Sequence, residues 1–183
     1  GEITEEEGKY LEDICCTGAG ACGGMFTANS MQCLIEAIGM TLPYMASAPA
    51  TGAHRMRLAY ESGRKIMELL QAGVKPSDIL TAVASKTAIA VAMAMGGSTN
   101  TVLHLTAIAH EAGIELDLDL FDEISRGTPH LCNMAPAGPH KICDLHDAGG
   151  IPAVTKELGE RIDGSALTVQ GPLFERLAKA KTI

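Results

Sequence analysis

Hydrophobic residues recur every three to four positions along most of the chain, and this period predicts a largely helical protein. Capping residues, glycines and prolines divide the pattern into separate helices. The segment from residue 78 to 95 is apolar on nearly every side, so we expect it to be buried on most of its surface. The helices predicted in this way span residues 5–14, 26–38, 54–71, 78–95, 101–112, 141–148, 151–158 and 172–180.

Strand-like alternation is confined to short segments. Residues 114–121 (IELDLDLF) alternate between apolar and acidic side chains, which predicts a short strand or extended segment leading into a turn at residues 119–125. Residues 130–134 and 166–169 predict two further short strands. The fold class that follows is α/β, a helix-rich layered domain with a short mixed or parallel sheet.

Composition and charge narrow the classes of partner. The 183-residue chain has a net charge of −8 and no cluster of Lys or Arg, which argues against nucleic acid or an anionic membrane surface as a partner. The longest apolar run, residues 88–95, is too short to cross a bilayer, and the acidic residues 1–8 show no secretory signal. Three of the six cysteines crowd one loop and the others are dispersed. This distribution predicts a cytoplasmic protein with free or metal-bound thiols rather than disulfides.

The loop at residues 15–24 combines cysteines with glycines, and three kinds of site compete to explain it. Its residues 18–23 match the pattern G-x-G-x-x-G of dinucleotide-binding loops. The flanking sequence does not fit this pattern. A dinucleotide-binding loop follows a buried strand, and an acidic residue lies about 20 positions further on, at the end of the next strand. Here the preceding residues are typical of a helix end, and Glu36 lies inside the following predicted helix. A dinucleotide site is therefore the weakest of the three.

Cys22 is the central residue of the two remaining explanations. It lies about one turn before a predicted helix, where backbone N–H groups and the helix dipole favour a thiolate. A thiolate can act either as a nucleophile or as a metal ligand. A nucleophile would need a paired histidine, and the one nearest in sequence is His54. The alternative is that Cys22 is only a small residue in a tight turn. The spacing of Cys15, Cys16 and Cys22 matches no ferredoxin or zinc pattern, so further metal ligands would come from elsewhere.

Other polar residues lie at predicted helix starts. Ser98, Thr99 and Asn100 follow two glycines, and either cap the next helix or bind a substrate carboxylate or phosphate. Thr27 and Asn29 have the same two explanations in the first turns of an earlier helix, where they either bind a ligand or brace the loop.

A histidine and cysteine series near the end of the chain superficially resembles a metal site. His140, Cys143 and His146 are spaced three residues apart. They span nearly two helical turns, so they would reach one ion only with strain. We expect no metal there.

Three long runs resemble the IlvD/Edd dehydratase family, which contains dihydroxy-acid, 6-phosphogluconate and sugar-acid dehydratases. They are residues 18–31 (GAGACGGMFTANSM), 96–116 (GGSTNTVLHLTAIAHEAGIEL) and 144–154 (DLHDAGGIPAV). The similarity covers nearly the whole chain in the same order. The run at 96–116 resembles the dihydroxy-acid branch more than the phosphogluconate branch.

The resemblance implies a hydro-lyase that uses an iron–sulfur cluster, [2Fe-2S] or [4Fe-4S], as a Lewis acid beside a Mg²⁺ site. It places the last of three cluster cysteines on Cys22, with Gly20, Gly23 and Gly24 making room for the cluster. It also implies a small dihydroxy acid as substrate, in branched-chain amino-acid biosynthesis, and assembly into a homo-oligomer. Sugar-acid dehydration and a non-catalytic assembly module of the family are the alternatives.

The resemblance further implies that the chain is an internal piece of such an enzyme. Residues 1–165 correspond to part of the N-terminal α/β domain, and residues 166–183 to the start of a connection to a C-terminal domain. The other cluster cysteines, most Mg²⁺ ligands and the catalytic serine have no counterpart in this sequence. We therefore expect it to be inactive without the remaining N- and C-terminal parts.

Overall fold

The computed structural model describes residues 2–15 and 22–180. The structure is 61% helical, and its one sheet among the described residues has two short strands, which confirms the predicted helix-rich domain with a short sheet. The strands β1 (Leu167–Thr168) and β2 (Gly171–Pro172) pair antiparallel, rather than in a mixed or parallel sheet. The α-helices are α1 (Glu5–Ile14), α2 (Thr27–Ile38), α3 (Ala53–Ala72), α4 (Pro76–Ile79), α5 (Ala82–Met95), α6 (Asn100–Glu111), α7 (Leu118–Gly127), α8 (Ile142–Asp147), α9 (Gly150–Leu158) and α10 (Leu173–Ala178), with a 3₁₀ turn at Gly159–Arg161.

Helix α5 forms the centre of the core, as its apolar pattern predicts. It packs against α2, α7, α9 and α6. Alanine occupies many of its buried positions, and small side chains allow neighbouring helices to approach closely. Ile89 and Val91, both fully buried, fill the space that the alanines leave. The N-terminal ends of α2 and α6 lie on this core, and they form the region described in the next subsection.

The predicted helix at residues 78–95 is interrupted. Helix α4 ends at Ile79, and Leu80 leaves helical geometry with ψ of 87°. Thr81 then caps α5, because its side chain accepts a hydrogen bond from the Ala84 amide at 3.2 Å. A local cap therefore divides a segment whose apolar pattern is continuous.

The prediction of a short strand or extended segment that leads into a turn at residues 119–125 is wrong from residue 118 onward. Residues 114–117 are outside any helix and Asp117 is extended, but residues 118–125 belong to α7, where the Asp117 side chain accepts a hydrogen bond from the Asp119 amide. Phe121 is buried, and Leu120 and Ile124 pack on the core beside it. This three-residue set follows a helical period, which overrides the alternation before it.

Residues 130–134, predicted as a strand, form neither a helix nor a strand. The amides of Leu131 and Cys132 both donate to the Ala94 carbonyl, at 2.8 and 3.0 Å. Met134 makes a single bridge to His140. The segment is therefore held by the C-terminal end of α5 rather than by a sheet.

Helix α3 contacts the rest of the protein over a small part of its surface. Leu58 is its one buried residue. Three of its large apolar side chains, Ile66, Met67 and Leu70, are exposed. None of the described helices is long and apolar enough to cross a membrane.

Candidate functional site

The loop that carries Cys22 is braced by one buried side chain. Asn29, in the first turn of α2, is 4% exposed, and its amide nitrogen donates to the Cys22 carbonyl at 3.0 Å and to the Gly24 carbonyl at 2.8 Å. The Cys22 side chain is exposed. Asn29 thus fixes the backbone on both sides of Gly23 and leaves the thiol free to contact a ligand.

The start of α6 lies directly beside the start of α2. The Ser98 amide donates to Ser30 Oγ at 2.9 Å, and Ser30 Oγ donates to the Met25 carbonyl at 3.2 Å. The Asn100 side-chain amide donates to Thr27 Oγ1 at 2.5 Å. Two segments about 70 residues apart in sequence therefore form one polar surface next to the Cys22 loop.

A third segment, around residue 135, meets the same loop. The Met25 amide donates to the Ala135 carbonyl. Gly24 relieves crowding at this contact, because a Cβ there would lie 2.8 Å from the Phe26 ring and 3.1 Å from the Ala135 oxygen. Gly23 differs, since a Cβ there would lie more than 4 Å from every atom of residues 2–15 and 22–180 outside its chain neighbours. Among these described residues, none fills the space beside Gly23.

The three residues predicted at the start of α6 are not equivalent. Ser98 Oγ accepts a hydrogen bond from the Asn100 amide at 3.3 Å, which is the capping role. Thr99 is exposed, and its side chain does not cap the helix. Asn100 is also exposed, and it points to Thr27. A substrate role for the three residues stays a prediction.

The other described cysteines differ in their surroundings. Cys33 is fully buried, and burial raises the pKa of its thiol, as does the charge of Glu36. Burial also raises the pKa of Cys132. Both are therefore protonated at neutral pH and packed as small apolar groups. Cys15 is exposed at the end of α1.

The described residues contain no group of three side chains suited to hold a metal ion. Cys22 fits as a single thiolate ligand, because it is exposed, braced by Asn29 and followed by open space at Gly23. Gly20, predicted to make room for a cluster, lies outside the described residues. A cluster on Cys22 would therefore take its other ligands from outside the described residues.

His146 belongs to a cluster that the sequence does not reveal. Its Nδ1 lies 3.0 Å from the Oγ of buried Ser47, and its ring lies 5.6 Å from the His54 ring and 6.0 Å from the Tyr44 ring. Tyr44 adopts a φ of +69°, which is rare for a residue other than glycine. His140 instead lies 3.8 Å from Asp144. The four residues of the cluster are up to about a hundred positions apart, so no local spacing indicates them.

Comparison with known proteins supports the similarity that the three sequence runs indicate. The family model described as Dihydroxy-acid/6-phosphogluconate dehydratase N-terminal matches residues 1–176. The chain belongs to this dehydratase family. The family match covers the Cys22 loop, the start of α6 and the segment near residue 135 together.

Named relatives of this dehydratase family are similar over most of the chain. A dihydroxy-acid dehydratase of Moorella thermoacetica is 57% identical over 173 residues, which are 93% of this chain and 31% of that protein. Those of Halothermothrix orenii and Pyrococcus abyssi are both 56% identical, over 93% and 87% of this chain. The chain spans about a third of the length of these curated relatives.

Proposed function

We propose that this chain supplies one wall of the active site of a dihydroxy-acid dehydratase. The reaction removes the C2 proton and the C3 hydroxyl of a 2,3-dihydroxy carboxylic acid as water, and the enol product tautomerises to a 2-keto acid. The names of the relatives and the family match support this assignment. We assign the activity to a whole enzyme that includes further N- and C-terminal parts, and we expect a cytoplasmic location.

The observation that carries the proposal is the position of the Cys22 thiol. It is exposed on a loop that Asn29 fixes, beside the polar surface made by Thr27 and Asn100. In the assembled enzyme Cys22 holds one iron of an iron–sulfur cluster, [2Fe-2S] or [4Fe-4S]. Such a cluster supplies Lewis-acid chemistry, which makes hydroxide a better leaving group. Mg²⁺ is the second cofactor of the proposal, with most of its ligands outside this chain.

The start of α6 is the proposed substrate side. The N-terminal end of a helix presents backbone N–H groups and a partial positive charge, which favour a carboxylate. Ser98 fixes the direction of the first turn, while Thr99 and Asn100 present polar groups to solvent. In the proposal these groups hold the acid end of the substrate, and Cys22 lies on the side of the hydroxyl that leaves.

The test compares two exposed cysteines in the full-length protein, purified without oxygen. Cys22→Ser is expected to lose bound iron and dehydratase activity together, because serine does not supply a thiolate. Cys15→Ser is the matched control and keeps both. Iron per chain, sulfide per chain and the visible spectrum report the cluster separately from turnover. Full iron and turnover in Cys22→Ser would refute the proposal.

The rates of dehydration of three candidate substrates distinguish the branches of the family. The wild-type enzyme is assayed with a branched 2,3-dihydroxy acid, with 6-phosphogluconate and with an unphosphorylated aldonic acid. The proposal predicts the highest kcat/KM for the branched acid. A preference for either sugar acid would move the enzyme to another branch of the family, and no turnover of any of them would favour a non-catalytic assembly role.

A further inference from the structure

The Arg176 guanidinium has one hydrogen-bond donor that the described fold leaves without an acceptor. Arg176 lies on α10 and is 8% exposed. Its Nη1 donates to the Glu36 carbonyl, and its Nη2 donates to Glu36 Oε1. Its Nε is the one buried side-chain nitrogen or oxygen without a partner among residues 2–15 and 22–180. Buried N–H groups are nearly always paired, so this donor indicates an acceptor, either water or an ion, that the described residues do not supply.

Arg176 lines a cavity of about 300 Å³ between α3, α10 and the first turn of α9. Lys65 of α3 and Lys179 at the end of α10 line it as well. We call this space the basic cavity, because three cationic side chains and one acidic side chain, that of Glu175, line it among the described residues. A single water would fill only a small part of this volume. The volume is instead at the lower end of the range for small-molecule sites.

The carboxylates that pair with two of these cations lie outside the wall of the basic cavity. Arg176 pairs with buried Glu36, and Lys65 pairs with Glu68. None of the ion pairs among the described residues includes Lys179. The wall therefore carries an excess of positive charge next to the unpaired donor. An oxyanion supplies both the negative charge and the missing acceptor, whereas a water supplies only the acceptor.

We propose that the basic cavity binds a small molecule through its carboxylate or phosphate group. The oxygens of this group accept hydrogen bonds from the Arg176 guanidinium and from the ammonium groups of Lys65 and Lys179. Charge-assisted hydrogen bonds of this kind are roughly twice as strong as those between neutral groups. Tyr44 and Pro152 form a less polar part of the wall, which suits a compact apolar body attached to the oxyanion.

This binding site goes beyond the dehydratase function and does not depend on it. Arg176 ties the basic cavity to Glu36 in the last turn of α2, whereas the Cys22 loop precedes the first turn of the same helix. A ligand in the cavity also contacts both α3 and α10. Because Leu58 is the one buried residue of α3, such a ligand would add to the few contacts that hold this helix.

The first experiment measures the reactivity of lysines in the full-length protein, after long dialysis against sodium chloride. N-hydroxysuccinimidyl acetate labels the amines in chloride, in inorganic phosphate and in succinate at equal ionic strength, and mass spectrometry follows each lysine. At roughly ten times the dissociation constant of the anion, we expect Lys65 and Lys179 to react about tenfold more slowly than in chloride. Exposed Lys86 of α5 is the control and should not change. The anion that protects at the lower concentration identifies the recognised group.

Three results of this labelling would overturn the proposal. If neither anion slows the reaction of Lys65 and Lys179, the basic cavity holds water alone. If Lys86 is slowed by the same factor, the protection comes from an adventitious ion only. If both lysines already resist labelling in chloride, another part of the enzyme covers the cavity.

The second experiment changes the charge of the wall in both directions and measures the dissociation constant of the more protective anion by calorimetry. Lys179→Gln should raise this constant about tenfold, because it removes one charged donor. Glu175→Gln, on the same helix, should lower it about twofold, because it removes the acidic group of the described wall. Lys86→Gln should leave it unchanged, and far-ultraviolet circular dichroism confirms that each variant is folded. An unchanged constant in Lys179→Gln, or weaker binding in Glu175→Gln, would place the anion elsewhere in the enzyme and reject the basic cavity.

Discussion

A buried ion pair links α2 to α10, and its removal gives the sharpest stability prediction. Glu36 is fully buried, and Arg176 donates to its Oε1 at 3.3 Å and to its backbone carbonyl at 3.1 Å. The amides of Tyr44 and Ala46 donate to the two carboxylate oxygens at 2.8 Å each. Arg176→Met removes the counter-charge but leaves the carboxylate in place. Leaving one partner of a buried pair alone costs about 3–5 kcal/mol.

The lower end of that range is expected here, for two reasons seen in the structure. Two backbone amides still stabilise the carboxylate after Arg176 is lost. The Nε atom of Arg176 is buried without a hydrogen-bond partner among the described residues, so the wild-type pair is itself imperfect. Arg176→Met should therefore lower the free energy of unfolding by about 3 kcal/mol.

Urea unfolding followed by circular dichroism at 222 nm measures this loss. Glu36→Gln and the double variant complete the cycle, and the double variant should regain much of the loss because no charge remains buried. Burial raises the pKa of Glu36, while Arg176 and the two amides lower it. Without Arg176 the carboxyl takes up a proton more readily in the folded state, so the deficit of Arg176→Met should shrink as the pH is lowered. A loss below about 1 kcal/mol, or a double variant as unstable as Arg176→Met, would refute the reasoning.

Two further predictions concern the loop and the histidine cluster. Asn29→Ala removes both hydrogen bonds to the Cys22 loop, so the full-length protein should lose about 1–3 kcal/mol of stability and bind less iron per chain. Gln32→Ala, a change at an exposed residue of the same helix, is the control and should alter neither quantity. A normal iron content in Asn29→Ala would exclude the bracing role. Burial, and then the charges of His146 and Arg57, lower the pKa of His54 in the folded state. The unfolded chain therefore binds more protons below about pH 6.5, and stability falls as the pH drops from 7 to 5. His54→Gln should flatten that decline in thermal unfolding, and an unchanged slope would count against it.

The sequence predicts the helices whose signals are local. The continuous apolar pattern of residues 82–95 predicts the buried α5, and α8 and α9 are separate helices as expected, with Gly149 as the N-cap of α9 and Gly150 as its first residue. The pattern fails where two periods overlap, as in α7, and where a cap interrupts a continuous apolar run, as at Thr81. Such boundaries depend on single hydrogen bonds rather than on composition.

The candidate site is predictable only in part, for a different reason. The position of Cys22 before a helix is a local signal, and the resemblance adds its role as a ligand. The hydrogen bonds from Ser98 to Ser30 and from Asn100 to Thr27 join residues 68 and 73 positions apart. No spacing in one sequence indicates contacts of that separation. The contact of Ser47 with His146 has the same character.

The shared hydroxyl of Ser30 has a consequence for altering such an enzyme. It accepts a hydrogen bond from the Ser98 amide and donates one to the carbonyl of Met25, three residues after Cys22. These two hydrogen bonds connect the two sides of the proposed site directly. Under the proposed function, a substitution at residues 98–100 chosen to widen the range of accepted acids would also move the sulfur. Substrate range and metal retention should therefore change together in directed evolution, and a screen for one needs to monitor the other.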